Sequence, residues 1–405
     1  MTRSATIPSQ LPKPEKLRIA MVFYVTVLLE GVMLASLGPT LDDLADNSGS
    51  TTEAIAILFT VNSLGYITGA LLAARLYTRL RGTMILAGAL AATAVLTFTI
   101  PWLGELWLLI AVFGLIGLAV GLIDVGGNTL IVWLYRKDVP PYMNALHLAF
   151  GIGAFACPLI VDRFAGGDGD ATRAFWLFAT LMIPVVVWLM RTPSPDSPAE
   201  TAQPEAGSAI VRRYALFLAL MGMLYFIHMG GELAFAGWIF NYGEETGLTS
   251  ESAARVLNSM FWAGLVVGRV IAIPLSLRLS PRRMIQLDLV VALGAIGLIG
   301  VLPDSEVALW TGTIIFGLAI ASIFASCVNF ASERIPIASH VMAIFFIGGS
   351  LGAMSLPWLI GQYFDTAGPG TMLWVVGVAM AAGIVLFAWI QLHTRRAMDT
   401  PGVAR

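Results

Sequence analysis

The chain has 405 residues, 58% of them hydrophobic and only 12% charged, with a formal net charge of −2. An average soluble chain carries about 25% charged residues, so this one lacks the polar surface to stand in water, and its near-neutral balance excludes the basic footprint of a nucleic-acid binder. Its 41 glycines and 11 tryptophans suit helices packed closely in lipid with aromatic rings near the headgroups. The bilayer is therefore the expected partner surface, and no nucleic acid is expected.

The polar start MTRSATIPSQLPKPEKLRIA leads into an apolar run too long for the core of a signal peptide, so it is expected to stay as a spanning helix. A helix needs about 20 apolar residues to cross roughly 30 Å of hydrocarbon. The apolar runs thus predict an all-α membrane protein with twelve spans, at 19–38, 54–75, 83–101, 106–134, 142–164, 172–191, 214–240, 253–276, 284–302, 307–330, 338–363 and 371–392. With the N-terminus inside, all but four of the 23 basic residues fall on the cytoplasmic side; Arg163, Arg173 and Arg255 lie outside and Arg269 stays in a span. The outer loops collect Asp42, Asp43, Asp46, Glu244 and Glu245. This asymmetry predicts a multi-pass protein of the cell (inner) membrane with both termini cytoplasmic.

Between spans 6 and 7, RTPSPDSPAETAQPEAGSAIVRR reads as a flexible cytoplasmic linker, 192–213, joining two six-helix bundles at 1–191 and 214–405. The bundles resemble each other at an offset near 200. Glu30 answers to Glu232; Gly65, Gly69 and Arg79 to Gly264, Gly268 and Arg278; Phe113-Gly114 to Phe316-Gly317; and Gly153-Ala154 and Pro158 to Gly352-Ala353 and Pro357. Two six-helix halves of like topology are the plan of transporters that rock one half against the other around a midplane site.

These residues resemble the major facilitator superfamily over essentially the whole chain. GALLAARLYTRLRG after span 2 and GRVIAIPLSLRLSPRR after span 8 look like degraded copies of its basic inter-helix motif, without the usual aspartate. GLIDVGGNTLIVWL followed by MNALHLAFGIGAFACPLIV resembles the fucose-permease and sodium-dependent glucose transporter-like branch. In that branch an acid on the first helix and another on the fourth are implicated in sugar binding and cation coupling, and Glu30 and Asp124 stand in the corresponding places. The resemblance also implies a monomer with a small-molecule, sugar-like substrate.

A carboxyl at membrane depth costs several kcal/mol unless it meets a cavity or partner, so each such acid is a candidate for function. Glu30 lies about 17 Å and Asp124 about 15 Å into their spans at 1.5 Å per residue. Either can take a proton or hold a sodium ion if oxygens converge on it, or can serve as a structural acid hydrogen-bonded between helices. Glu232 follows Gly230-Gly231, where a helix can loosen; His228 sits one turn before it and can share its proton. The expected coupling residues are Glu30, Asp124 and Glu232, with a proton or sodium ion as coupling ion and no other cofactor or metal.

For substrate contacts, Asn128, one turn from Asp124, offers the donor and acceptor groups that sugar hydroxyls need. His147 is either a ligand contact, part of an inner gate, or a satisfied interhelical histidine. Trp262, Trp238, Phe235 and Tyr66 are candidates for an apolar platform under a sugar ring, against the plainer reading of packing aromatics. Asn258, Asn329 and Gln362 are further polar candidates, and Arg269 reads as structural, reaching the interface along its alkyl stem. Cys157 and Cys327, both in apolar runs, read as packing thiols.

No HExxH or P-loop pattern occurs, so an enzyme is not expected. The competing reading is proton-driven drug or lipid efflux. Exporters of the superfamily usually carry an arginine on the fourth helix, where this chain has Asp124.

Overall fold

The computed structural model describes residues 12–165, 170–195, 213–335 and 339–398. Among them, 12 helices are long and apolar enough to cross a membrane. They are α1 (Lys13–Ser36), α2 (Thr52–Arg79), α3 (Gly82–Trp102), α4 (Leu106–Tyr135), α5 (Val139–Ala165), α6 (Ala174–Arg191), α7 (Ala215–Glu245), α8 (Glu251–Ser276), α9 (Pro281–Val301), α10 (Glu306–Ser332), α11 (Ser339–Ala367) and α12 (Gly370–Met398). The architecture is the expected all-α one. Differences lie at helix ends: α1 starts at Lys13 rather than 19, because Lys13, Glu15 and Arg18 form exposed first turns that stay in water. Most of the expected linker, residues 196–212, lies outside the described residues.

Contacts divide the chain into two units, Met1–Glu200 with Glu251–Ser259, and Thr201–Ser250 with Met260–Arg405. In the first, α1 packs on α5 and α2 on α4, and both crossings are backbone-to-backbone. A Cβ added at Gly153 would stand 1.9 Å from the Leu28 carbonyl oxygen, and one at Gly65 would stand 2.1 Å from that of Gly114. Small residues allow such approach, and dispersion over the close surfaces then stands in for the hydrophobic effect that lipid does not supply.

The second unit repeats these crossings. Gly352 meets the Phe226 carbonyl as Gly153 meets that of Leu28; Gly264 and Gly268 meet those of Ile314 and Leu318 as Gly65 and Gly69 meet those of Gly114 and Leu118. This confirms the repeat at the paired glycines but corrects its register in two places. If Leu28 answers to Phe226, then Glu30 answers to His228, and Glu232 stands one turn further along α7. Likewise Gly317, against the Phe261 carbonyl, answers to Gly117, against that of Asn62, rather than to Gly114. By the same register the positions of Tyr66 and Asp124 carry Leu265 and Phe324 in the second unit, so the polar groups are not repeated.

Two helices depart from expectation. α7 is unbroken through Gly230-Gly231, whose small surfaces are filled from outside by Leu356 and Met380. α10 is interrupted at Ala321–Ser322, between Glu306–Ile320 and Ile323–Ser332. At the start of α8, in the stretch that clusters with the first unit, Arg255 is only 2% exposed. Its guanidinium pairs with Glu251 at 2.5 Å and Asp162 at 3.8 Å. Nearby Asp43, on a short helix at Leu41–Ser48, has its carboxyl pushed above the usual range by burial, against the pull of the Ala171 N–H and Arg255.

Candidate functional site

Four polar side chains converge in the first unit at membrane depth. Asp124 lies eleven residues before the Tyr135 end of α4, about 17 Å along the axis. Its carboxylate accepts a hydrogen bond from the Tyr66 hydroxyl of α2 and one from Asn128 Nδ2 at 2.8 Å. The same amide nitrogen donates to the Asp124 backbone carbonyl at 2.8 Å, so the asparagine is held on the carboxylate by its own helix turn. Glu30 of α1 is 3% exposed, interacts electrostatically with Asp124, and has an Oε2 with no hydrogen-bond partner.

Glycine on α4 brings these helices together. The Tyr77 hydroxyl occupies the space a Cβ on Gly126 would take, and donates to the Leu122 carbonyl at 3.1 Å. Gly127 admits the Val27 methyl, 2.7 Å from where its Cβ would be, and Val27 lies one turn before Glu30 on the same face of α1. A larger residue at Gly126 would displace the Tyr77 hydroxyl, and one at Gly127 the Val27 methyl, disturbing the packing beside the two carboxyls. Asp124 and Asn128 are themselves half-exposed while Glu30 is buried, so the pair has an accessible member and a hidden one.

The arrangement concentrates negative charge in a low-dielectric place. Among the described residues neither Glu30 nor Asp124 has a basic partner within ion-pair distance. Two carboxylates so placed cannot both stay ionised without a compensating cation. The available donors, two carboxyls, a phenol and an amide, are hard oxygens and N–H groups that fit a proton or alkali cation and the hydroxyls of a polar solute.

Replacing Tyr66 by Phe tests whether the hydroxyl orients this carboxylate. Loss of a hydrogen bond to a charged group costs about 1.5–3 kcal/mol, so the half-saturating concentration of the coupling cation is expected to change about tenfold or more, while the melting temperature moves by a few degrees at most. An unchanged cation dependence removes Tyr66 from the site.

The other sequence candidates are scattered. Glu232 is buried with His228, Nε2 to Oε2 3.7 Å, and Arg269 interacts electrostatically with both. This makes a buried charge cluster of its own in the second unit, and it gives Arg269 a partner the sequence did not suggest. Trp238 is fully buried, its indole N–H donating to the Pro357 carbonyl at 2.9 Å and its ring tilted on Phe364. Phe235 packs among Phe261 and Phe316. Trp262 and Asn258 are buried, Trp262 edge-on to Phe261, whereas His147 and Asn329 are exposed and Gln362 is half-buried. Asp288 of α9, 7% exposed and bonded to Ser322, is an intramembrane acid that the sequence reading passed over.

The model described as Major Facilitator Superfamily matches residues 23–357. Sodium-dependent glucose transporter 1A of Mus musculus is 27% identical over 378 residues, covering 84% of this chain and 88% of that protein. Sodium-dependent glucose transporter 1 of Homo sapiens is 26% identical over 403 residues, covering 90% and 77%. Among solved structures, a mutant of the nucleoside transporter NupG superposes with a TM-score of 0.75 at 14% identity, over 93% of this chain and 99% of that one. A bacterial homolog to the human lysosomal transporter Spinster gives 0.72 at 13% identity, over 94% and 96%. With the family model spanning most of its length and the superfamily's helical plan in its structure, the chain belongs to the Major Facilitator Superfamily.

Proposed function

We propose that the protein is a secondary active transporter that takes up a monosaccharide or related small polar solute together with a proton or sodium ion, by alternating access. The observation that carries this reading is the Asp124 carboxylate, held by Tyr66 and Asn128 beside the buried, half-unpartnered carboxyl of Glu30. The names of the relatives support it, since they are called sodium-dependent glucose transporters.

In this reading the cation neutralises the Glu30–Asp124 pair, and Asn128 and the half-exposed face of Asp124 then bond the hydroxyls of the solute. Either ligand alone leaves buried charge or unmet donors behind. With both ligands bound the site is satisfied; with the solute alone the carboxylate pair stays uncompensated, and this difference couples the two fluxes. Glu232 serves as a further coupling acid, tempered by His228 and Arg269. The bundles 1–191 and 214–405 move as bodies on the 192–213 linker, and the protein works as a monomer in the cell (inner) membrane with both termini cytoplasmic.

The test is uptake of labelled glucose, fucose and polyols into proteoliposomes under an inward sodium or proton gradient. Accumulation of one of them above equilibrium, abolished by collapsing the gradient, is the expected result. Export of lipophilic drugs against a proton gradient, with no sugar movement under any gradient, contradicts it.

A further inference from the structure

We infer that Asp288 and Ser322 form a second monovalent-cation site, for a sodium ion or a proton, in the unit that does not contain Glu30 and Asp124. Asp288 lies seven residues from Pro281, about 10 Å into α9, and is 7% exposed. Its carboxylate accepts a hydrogen bond from the Ser322 hydroxyl. Among the described residues no lysine, arginine or histidine pairs with it. An ionised carboxylate has about four acceptor positions, and a single hydroxyl fills one. A buried negative charge left in that state is costly enough to demand a positive one.

The interruption of α10 supplies what a cation needs. Ser322 sits in the two-residue gap between the helical pieces ending at Ile320 and starting at Ile323. Such a gap withdraws main-chain carbonyls from the helical ladder, and irregular backbone at membrane depth is tolerated only where buried in protein or lining a wet cavity. Ser326, 3% exposed, stands one turn beyond Ser322 on the same face. A carboxylate with a hydroxyl bonded to it and a second hydroxyl one turn on is a hard oxygen set of the kind that suits an alkali cation.

Among the described residues, the surroundings add no competing charge. Cys327 of α10 faces Asp288 and also Tyr225 of α7, whose hydroxyl donates to the Phe324 carbonyl at 3.0 Å. The first piece of α10 brings Gly312 against Ile299, and α12 brings Gly377 and Gly383 against Ile296 and Leu289. On its own helix, Arg282 and Arg283 lie more than a turn away toward the end. The inference does not depend on the solute being a sugar.

Thermal unfolding of the full-length protein in nanodiscs tests it, with sodium exchanged for choline at constant ionic strength and repeated at two pH values. The background is the Glu30→Gln, Asp124→Asn double variant, which silences the first site. A cation-dependent rise of roughly 5 °C is expected there and is lost on adding Asp288→Asn. Ser322→Ala, which keeps the charge, is expected to raise the half-maximal cation concentration about three- to tenfold. A response to sodium at fixed pH identifies the ion as sodium; a response to pH alone identifies it as a proton. If the double variant shows no cation response, or if Asp288→Asn leaves it intact, Asp288 is a structural acid and the inference is overturned. Failure of the sugar reading would instead show as the absence of any sugar response in the unmutated protein.

Discussion

Proteoliposomes carrying Asp124→Asn are expected to equilibrate labelled sugar without concentrating it. Asparagine keeps the shape of the side chain and still offers a carbonyl oxygen to the Tyr66 hydroxyl, so the helix packing around Gly126 and Gly127 stands. The negative charge is what goes. Glu30 then needs no second cation to coexist with its neighbour, and solute can bind without the ion. One coupled cation moving down a tenfold gradient supports about tenfold accumulation, worth about 1.4 kcal/mol; the variant's ratio is expected to fall to about one, while exchange of external for internal sugar persists at a reduced rate. Concentrative uptake at the unmutated level would remove Asp124 from the coupling step.

Gly153→Val is expected to cost at least about 3 kcal/mol of stability, more than the usual penalty of overpacking, and to abolish transport. Its Cβ would fall 1.9 Å from the Leu28 carbonyl oxygen, and the clash is with backbone rather than with a side chain that could swing away. On the opposite side of the crossing Gly31, next to Glu30, meets the Phe150 carbonyl just as closely, at 2.1 Å. Parting α1 from α5 therefore also moves Glu30. Gly88→Val is the control, since nothing lies within 4 Å of the Cβ it would add. Melting curves of the two variants check the account: a large fall for Gly153→Val and little change for Gly88→Val are expected, and equal curves would contradict the close crossing.

The span count was legible because the bilayer sets one length for every helix, and the apolar runs met it twelve times. Helix ends were less so, as the charged first turns of α1 extend a helix that hydropathy alone ends at the membrane. The repeat was visible through its glycines, since only glycine fits a backbone contact. Its register was not, because a pair of acids such as Glu30 and Glu232 is easily aligned one turn out when the helices themselves carry few other marks.

Asp124 and Asn128 could be placed together from their four-residue spacing. That Tyr66 donates to the carboxylate could not, for this depends on how α2 crosses α4. The break in α10 carries neither glycine nor proline at Ala321–Ser322 and left no mark in the sequence; Asp288, close to the start of its span, stood out only once the fold set Ser322 beside it. Trp238 looked suited to stacking on a sugar, but a proline on α11 supplies the carbonyl that takes its N–H.

The most direct test is the thermal stability of the purified protein against sugars, polyols and lipophilic cations, with and without sodium and at two pH values, beside Asp124→Asn. A shift specific to one sugar and enhanced by the coupling ion, with that enhancement lost in the variant, is the predicted result. Shifts with lipophilic cations alone, unchanged in Asp124→Asn, would contradict it.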